Sequence, residues 1–87
     1  MALVVLPASL VELFPGATRR VEVEGATVQE VIGRLDERWP GMRSRLCAAG
    51  PTLRQHISIF VDSEQSRLES PVGPQAEVRI IPALSGG

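Results

Sequence analysis

The stretch Thr27-Val28-Gln29-Glu30-Val31-Ile32-Gly33-Arg34-Leu35-Asp36-Glu37-Arg38-Trp39 decides the fold. Val28, Val31, Ile32, Leu35 and Trp39 recur at three-and-four spacing, which on a helix makes one apolar stripe. Thr27 followed three residues later by Glu30 is a capping box: the threonine oxygen accepts an early helical N–H, and the carboxylate reaches back. Pro40-Gly41 ends the helix. Glu30 and Arg34 stand one turn apart in the favourable order, acid before base, and are expected to pair. Gly33 costs up to about 1 kcal/mol against alanine inside a helix, and close packing against a sheet is the expected reason for it. Trp39 is read as a lid on the core rather than a stacking platform for a ligand.

A helix with one apolar side needs a surface to cover, and the flanking segments supply it. Ala2 to Leu6 is wholly apolar, rich in β-branched residues and stopped by Pro7, the pattern of a central strand buried on both faces. Ser9 to Gly16 reads as a connector with one turn of Leu10, Leu13 and Phe14 over the core edge. Arg19 to Glu24 alternates, with Val21 and Val23 inward and Arg20, Glu22 and Glu24 outward. Residues 41–54 read as irregular, with one helical turn near Met42 to Leu46. His56 to Val61 resumes a strand in which Ile57, Ile59 and Val61 face one way and His56, Ser58 and Phe60 the other. Asp62 to Gln65 is a polar turn, Ser66 to Glu69 a short edge strand or loop carrying Leu68, and Glu77 to Ile81 the last strand. Val78 and Ile80 point inward there, and Glu77, Arg79 and Ile81 outward. The expected fold class is α+β: a small mixed sheet packed on one main helix. Leu3, Val5, Val21, Val23, Ile57, Ile59, Val78 and Ile80 form the expected helix-facing layer.

Eighty-seven residues make one domain with a small core, and 44% apolar content with a net charge of -1 fits a folded chain without a nucleic-acid footprint. Arg43, Arg45 and Arg54 are scattered among acids and do not change this. No apolar run reaches the length of a membrane span, and no basic stretch precedes the first apolar run, so no signal peptide is expected. Cys47 is the single cysteine, which excludes an internal disulfide and suits a reducing, cytoplasmic location. It lies among alanines without a histidine partner and reads as structural; His56 likewise has no catalytic partner. All nine basic residues are arginine, so no side-chain amine is present to accept an isopeptide bond.

The chain closes on Ile80-Ile81-Pro82-Ala83-Leu84-Ser85-Gly86-Gly87. Pro82 lacks the N–H that a ladder needs, so the backbone is expected to leave the sheet there. The five residues beyond it reach at most about 16 Å. Two readings stand: a frayed end, since small residues collect at termini, or a thin peptide carrying a reactive carboxylate. A C-terminal carboxyl ionises near pKa about 3.5 and is a competent oxygen nucleophile toward an activated phosphate.

Three stretches together resemble the ubiquitin-like sulfur-carrier proteins: Val78 to Gly87, the capped helix Thr27 to Trp39, and His56-Ile57-Ser58-Ile59-Phe60-Val61-Asp62. That group includes the small subunit of molybdopterin synthase, the thiamine-pathway carrier and the cysteine-synthesis carrier of actinobacteria. The terminal Pro-Ala-Leu-Ser-Gly-Gly is more similar to the molybdopterin and cysteine branches. The Gly-Asp pair common in the family before the last strand is replaced by Gly73-Pro74-Gln75-Ala76-Glu77.

The resemblance implies a β-grasp domain over residues 1–82 and a flexible reactive tail over 83–87. It implies a partner E1-like enzyme that uses ATP and Mg²⁺ to adenylate the Gly87 carboxylate. A sulfur-donor protein then displaces AMP to leave a thiocarboxylate, and an acceptor enzyme of the molybdopterin-synthase, cysteine-synthase or thiazole-synthase type consumes it. Gly87 carries the reacting group and Gly86 permits entry to a narrow channel. Pro82, Ala83, Leu84 and Ser85 set reach, and Phe60, Arg79 and Ile81 are the expected docking face. No cofactor or metal is assigned to this chain, which is read as a carrier rather than an enzyme. Two alternatives stay open: a protein modifier joined through Gly87 to target lysines, and a β-grasp interaction module with incidental glycines.

Overall fold

The helix Val28–Arg38 sits against one face of a five-stranded sheet, and everything else is arranged around that contact. The structure is a computed structural model and describes residues 1–48 and 52–82. In chain order the elements are β1 (Ala2–Val5), α1 (Ala8–Leu13), β2 (Arg20–Val23), α2 (Val28–Arg38), α3 (Met42–Leu46), β3 (Cys47–Ala48), β4 (Thr52–Leu53), β5 (Ile57–Val61), β6 (Glu64–Ser66) and β7 (Glu77–Pro82). The main sheet runs β2-β1-β7-β5-β6, and β3-β4 forms a separate two-stranded ribbon. β1 and β7 are parallel, while every other pairing is antiparallel. One parallel pair at the centre of an otherwise antiparallel sheet, crossed by one long helix, is the β-grasp architecture.

α2 forms as its sequence requires. Thr27 Oγ1 accepts the Glu30 N–H at 3.2 Å, and Glu30 Oε1 accepts the Ala26 N–H at 2.9 Å, so the capping box closes one residue further out than its simplest form. That use of Glu30 corrects the expected pairing with Arg34, which instead lies 3.5 Å from Glu37. Gly33 is not packed on the sheet either: a side chain there would meet Arg43 Nη2 at 3.1 Å, so the glycine faces α3. Val28, Val31, Ile32 and Leu35 are buried, and Trp39 packs half-buried against the cluster as a lid. After the helix, Asp36 Oδ1 accepts the N–H groups of both Gly41 and Arg43, which ties the start of α3 back to α2.

The face of β1 that meets the helix is the reverse of the one expected. Ala2, Val4 and Leu6 join the core, with Ala2 opposite Val23 and Val4 opposite both Val21 and Val78. Leu3 and Val5 therefore lie on the far face, beside Glu22 and Glu77 and beside Arg20 and Arg79 respectively. An unbroken apolar run has no alternation to give its phase, and only pairing with β2 and β7 sets it. The prediction that β1 is covered on both faces holds, since Val5 is 5% exposed although it points away from the helix.

Other differences are local. The connector after Pro7 is a full helix, α1, whose Leu10 is buried; the proline occupies its N-cap with the extended backbone suited to that position. Residues read as irregular between 41 and 54 include the β3–β4 ribbon, with Cys47 opposite Leu53. β5 begins at Ile57 rather than His56, and β6 is Glu64–Ser66 rather than 66–69. Leu68 is buried beyond it. β7 keeps Pro82 as its last residue, opposite Ile57. β1 accompanies β7 only as far as Arg79, so the missing N–H of Pro82 interrupts no ladder on that side.

Candidate functional site

The open face of the sheet, opposite α2, is built from alternate residues of β1, β2, β5 and β7. Its centre is Phe60 on β5, which lies opposite Arg79 on β7 and Gln65 on β6, with Ser58 opposite Ile81 one step along. The period of two that buries Ile59 and Val61 turns Phe60 outward. Phe60, Ser63, Glu77, Arg79 and Ile81 line a shallow cavity of about 240 Å³. Ile81 is 39% exposed, one of three large apolar side chains left that open among the described residues. The sequence reading of Phe60, Arg79 and Ile81 as one face is thus met by the geometry. Arg20 and Glu22 share that face as their alternation in β2 predicts, and Leu3 and Val5, expected toward the helix, join them there because the phase of β1 is reversed. A larger hollow of about 500 Å³, lined partly by Glu24, Glu30 and Arg34, lies away from these residues and from the end of β7.

A tight turn closes the cavity at its far end. Asp62 and Ser63 both have positive φ, 50° and 73°, as a two-residue hairpin turn between Val61 and Glu64 demands. Asp62 Oδ1 accepts the Glu77 N–H at 3.0 Å, and the Asp62 N–H donates to the Glu77 carbonyl at 2.9 Å. The turn and the start of β7 are consequently held together. Arg79 Nη2 lies 3.4 Å from Glu77 Oε1, an exposed pair worth little by itself. β7 is paired on both sides over Val78 and Arg79, so the strand that leads to the glycines is the sheet's centre rather than an edge.

Ala83, Leu84, Ser85, Gly86 and Gly87, to which the sequence reading gave the chemistry, lie outside the described residues. Cys47 is half-buried where α3 meets β3, and burial pushes its thiol pKa up against the smaller opposing pull of Arg43 and Arg54. A thiol held protonated is a poor nucleophile, which agrees with a structural role. His56 is exposed in the turn before β5. Among the described residues no three His, Cys, Asp or Glu side chains gather in a way that would hold a metal ion.

A mixed sheet in the order β2-β1-β7-β5-β6, with β1 and β7 parallel at its middle and α2 across one face, defines a ubiquitin-like protein of the β-grasp class. The chain belongs to the ThiS family, whose model matches residues 4–87. It is similar to small archaeal modifier protein 1 of Haloferax volcanii, with 31% identity over 81 residues covering 92% of this chain and 93% of that protein. The crystal structure of that organism's SAMP1 superposes with a TM-score of 0.78 at 30% identity, covering 99% of this chain and 98% of the other. A chain in the crystal structure of the Amycolatopsis orientalis BexX/CysO complex gives a TM-score of 0.88 at 30% identity and full coverage of both. The family is one of ubiquitin-like sulfur carriers working through a glycine thiocarboxylate, and its members are protein cosubstrates rather than enzymes. They engage E1-like activating enzymes and acceptor enzymes of sulfur transfer.

Proposed function

We propose that the carboxylate of Gly87 is the atom group on which this carrier works. In this reading an E1-like enzyme adenylates it at the expense of ATP with release of pyrophosphate. The outer sulfur of a donor protein's persulfide displaces AMP to form an acyl disulfide, and a second thiol cleaves that bond, ending as a disulfide with the donor cysteine and leaving the thiocarboxylate. The acceptor is of the molybdopterin-synthase, cysteine-synthase or thiazole-synthase type. Phe60, Arg79 and Ile81 form the grip, Pro82, Ala83, Leu84 and Ser85 the spacer, and Gly86 the passage into the channel. Residues 1–82 act as the handle and 83–87 as the reactive end, in the cytoplasm. The observation that carries the reading is the position of β7: it is hydrogen-bonded to β1 and β5, borders the Phe60 cavity, and runs directly into the last five residues. A carboxylate is a poor acyl donor until a good leaving group is attached, and covalent activation by another protein supplies one.

The test is adenylation of the Gly86→Val variant by the cognate activating enzyme. A β-branched side chain in a passage that admits only glycine blocks turnover while the fold survives; an unchanged rate would falsify the mechanism. A second reading, conjugation of Gly87 to lysines of target proteins, is favoured by the 31% identical relative that is named a modifier protein. Intact mass after incubation with extract separates the two, since one exchanges an oxygen for a sulfur and the other adds a whole protein.

A further inference from the structure

The open face orders its charges. Strand register places Glu22, Leu3 and Glu77 in one row across β2, β1 and β7. The next row on that face is Arg20, Val5, Arg79 and Phe60, and the one after it holds Ile81 and Ser58. Successive rows lie about 7 Å apart, two residues along a strand. The acidic row is therefore furthest from the end of β7, the basic row is next, and the apolar Ile81 stands nearest the tail. Asp62, bonded to the N–H of Glu77, adds a carboxylate at the acidic end. Arg20 and Glu22 are exposed, and the Glu77–Arg79 pair is partly open to solvent, so all four charges are available to a partner.

We propose that these rows are a polarity signal for the E1-like activating enzyme that takes the tail. This inference rests on the carrier reading above and adds what that partner's surface must look like. It presents carboxylates opposite Arg20 and Arg79, cationic side chains opposite Glu22 and Glu77, and an apolar side chain in the cavity of Phe60 and Ile81. Docked in this sense, opposite charges meet in both rows, and the tail points one way along the partner. Docked in the reverse sense, like charges meet, which is heavily penalised at an interface. The charge rows thus fix the direction in which the tail is fed, a task that an apolar contact alone performs poorly because hydrophobic attraction is non-directional.

The experiment exchanges the two charges of β7, Glu77→Arg with Arg79→Glu, which preserves net charge and an opposite pair on the strand. A second variant does the same on the edge strand with Arg20→Glu and Glu22→Arg, in case the first disturbs the central ladder. Thermal unfolding confirms that each variant folds. ATP–pyrophosphate exchange by the cognate activating enzyme is then measured against carrier concentration and salt. Each exchange is expected to raise KM at least about tenfold with kcat little changed, while Arg38→Glu, on the helix that covers the opposite face of the sheet, leaves KM as it was. Activity of the native chain with unaltered KM in both folded exchanges overturns the polarity proposal and leaves the carrier reading standing. Absence of exchange activity with the native chain overturns both. A dimer formed by the native chain through this face, seen as a mass shift abolished by the exchanges, also overturns the proposal by naming a second copy as the occupant.

Discussion

Ile59 and Phe60 are neighbours on β5 with opposite duties, and truncating each to alanine separates the core from the site. Ile59 is fully buried, between Ser66 of β6 and Ile80 of β7. Removing its side chain leaves a cavity beneath α2 and costs about 2–5 kcal/mol. At a middle value of about 3 kcal/mol, a domain of this size loses about 12–24 °C in Tm. Phe60 is half-buried on the open face, so its truncation costs less stability, about 1–2 kcal/mol. If Phe60 is an anchor of the docking contact, its loss is worth about 2 kcal/mol there, a rise of about thirtyfold in KM for the activating enzyme. Urea titration reads the first effect. Pyrophosphate exchange at a temperature where both variants are folded reads the second. The expected outcome is a crossed result: Ile59→Ala weak in stability with near-native KM, Phe60→Ala the reverse. Equal loss of stability with no difference in KM would refute both the alternation of β5 and the docking role of its outer face.

Three further outcomes follow from local geometry. Thr27→Ala removes the acceptor for the Glu30 N–H and is expected to cost about 1 kcal/mol in urea unfolding, with Thr27→Ser recovering most of it. Gly41 has φ of 102°, so Gly41→Ala is expected to destabilise by about 1–2 kcal/mol even though Phe14 Cε1, the nearest atom, would lie 3.5 Å from the new carbon. Burial raises the Cys47 pKa, so the folded state holds that proton more tightly than the unfolded chain. The resulting stability is complete below the unfolded thiol's pKa and is lost as pH rises through the folded one. Alkylation of native Cys47 should accordingly be slower at pH 8 than that of a free cysteine, and Cys47→Ala should flatten the alkaline fall in stability.

Much of this was legible in the residues. The stripe of α2, its cap, and the alternation of β2, β5 and β7 are carried by spacing alone: a wrong phase would bury arginine or glutamate in α2, β2 and β7, and would exchange three aliphatic side chains for Ser58 and Phe60 in β5. The outward placement of Phe60, Arg79 and Ile81 comes from that alternation. What escaped was whatever spacing leaves undetermined. β1 is apolar at every position, so neither phase is penalised locally, and its partners chose the one that puts Val4 against Val21 and Val78. α1 is a single short helix whose six residues gain stability from docking Leu10 rather than from propensity. Pro82 reads as a strand breaker until β1 is seen to stop at Arg79.

The helix and its cap, and the strand faces with alternating polarity, were determined by the sequence by itself, because each depends on residues within one helix or one strand, and the family resemblance is carried by three such local stretches. The order of the strands, the parallel pairing that places β7 at the centre, and the alignment of Glu22 with Glu77 and of Arg20 with Arg79 were decided only by the tertiary structure. Those charges are more than fifty residues apart in the chain, and only hydrogen-bonded register between strands brings them into rows.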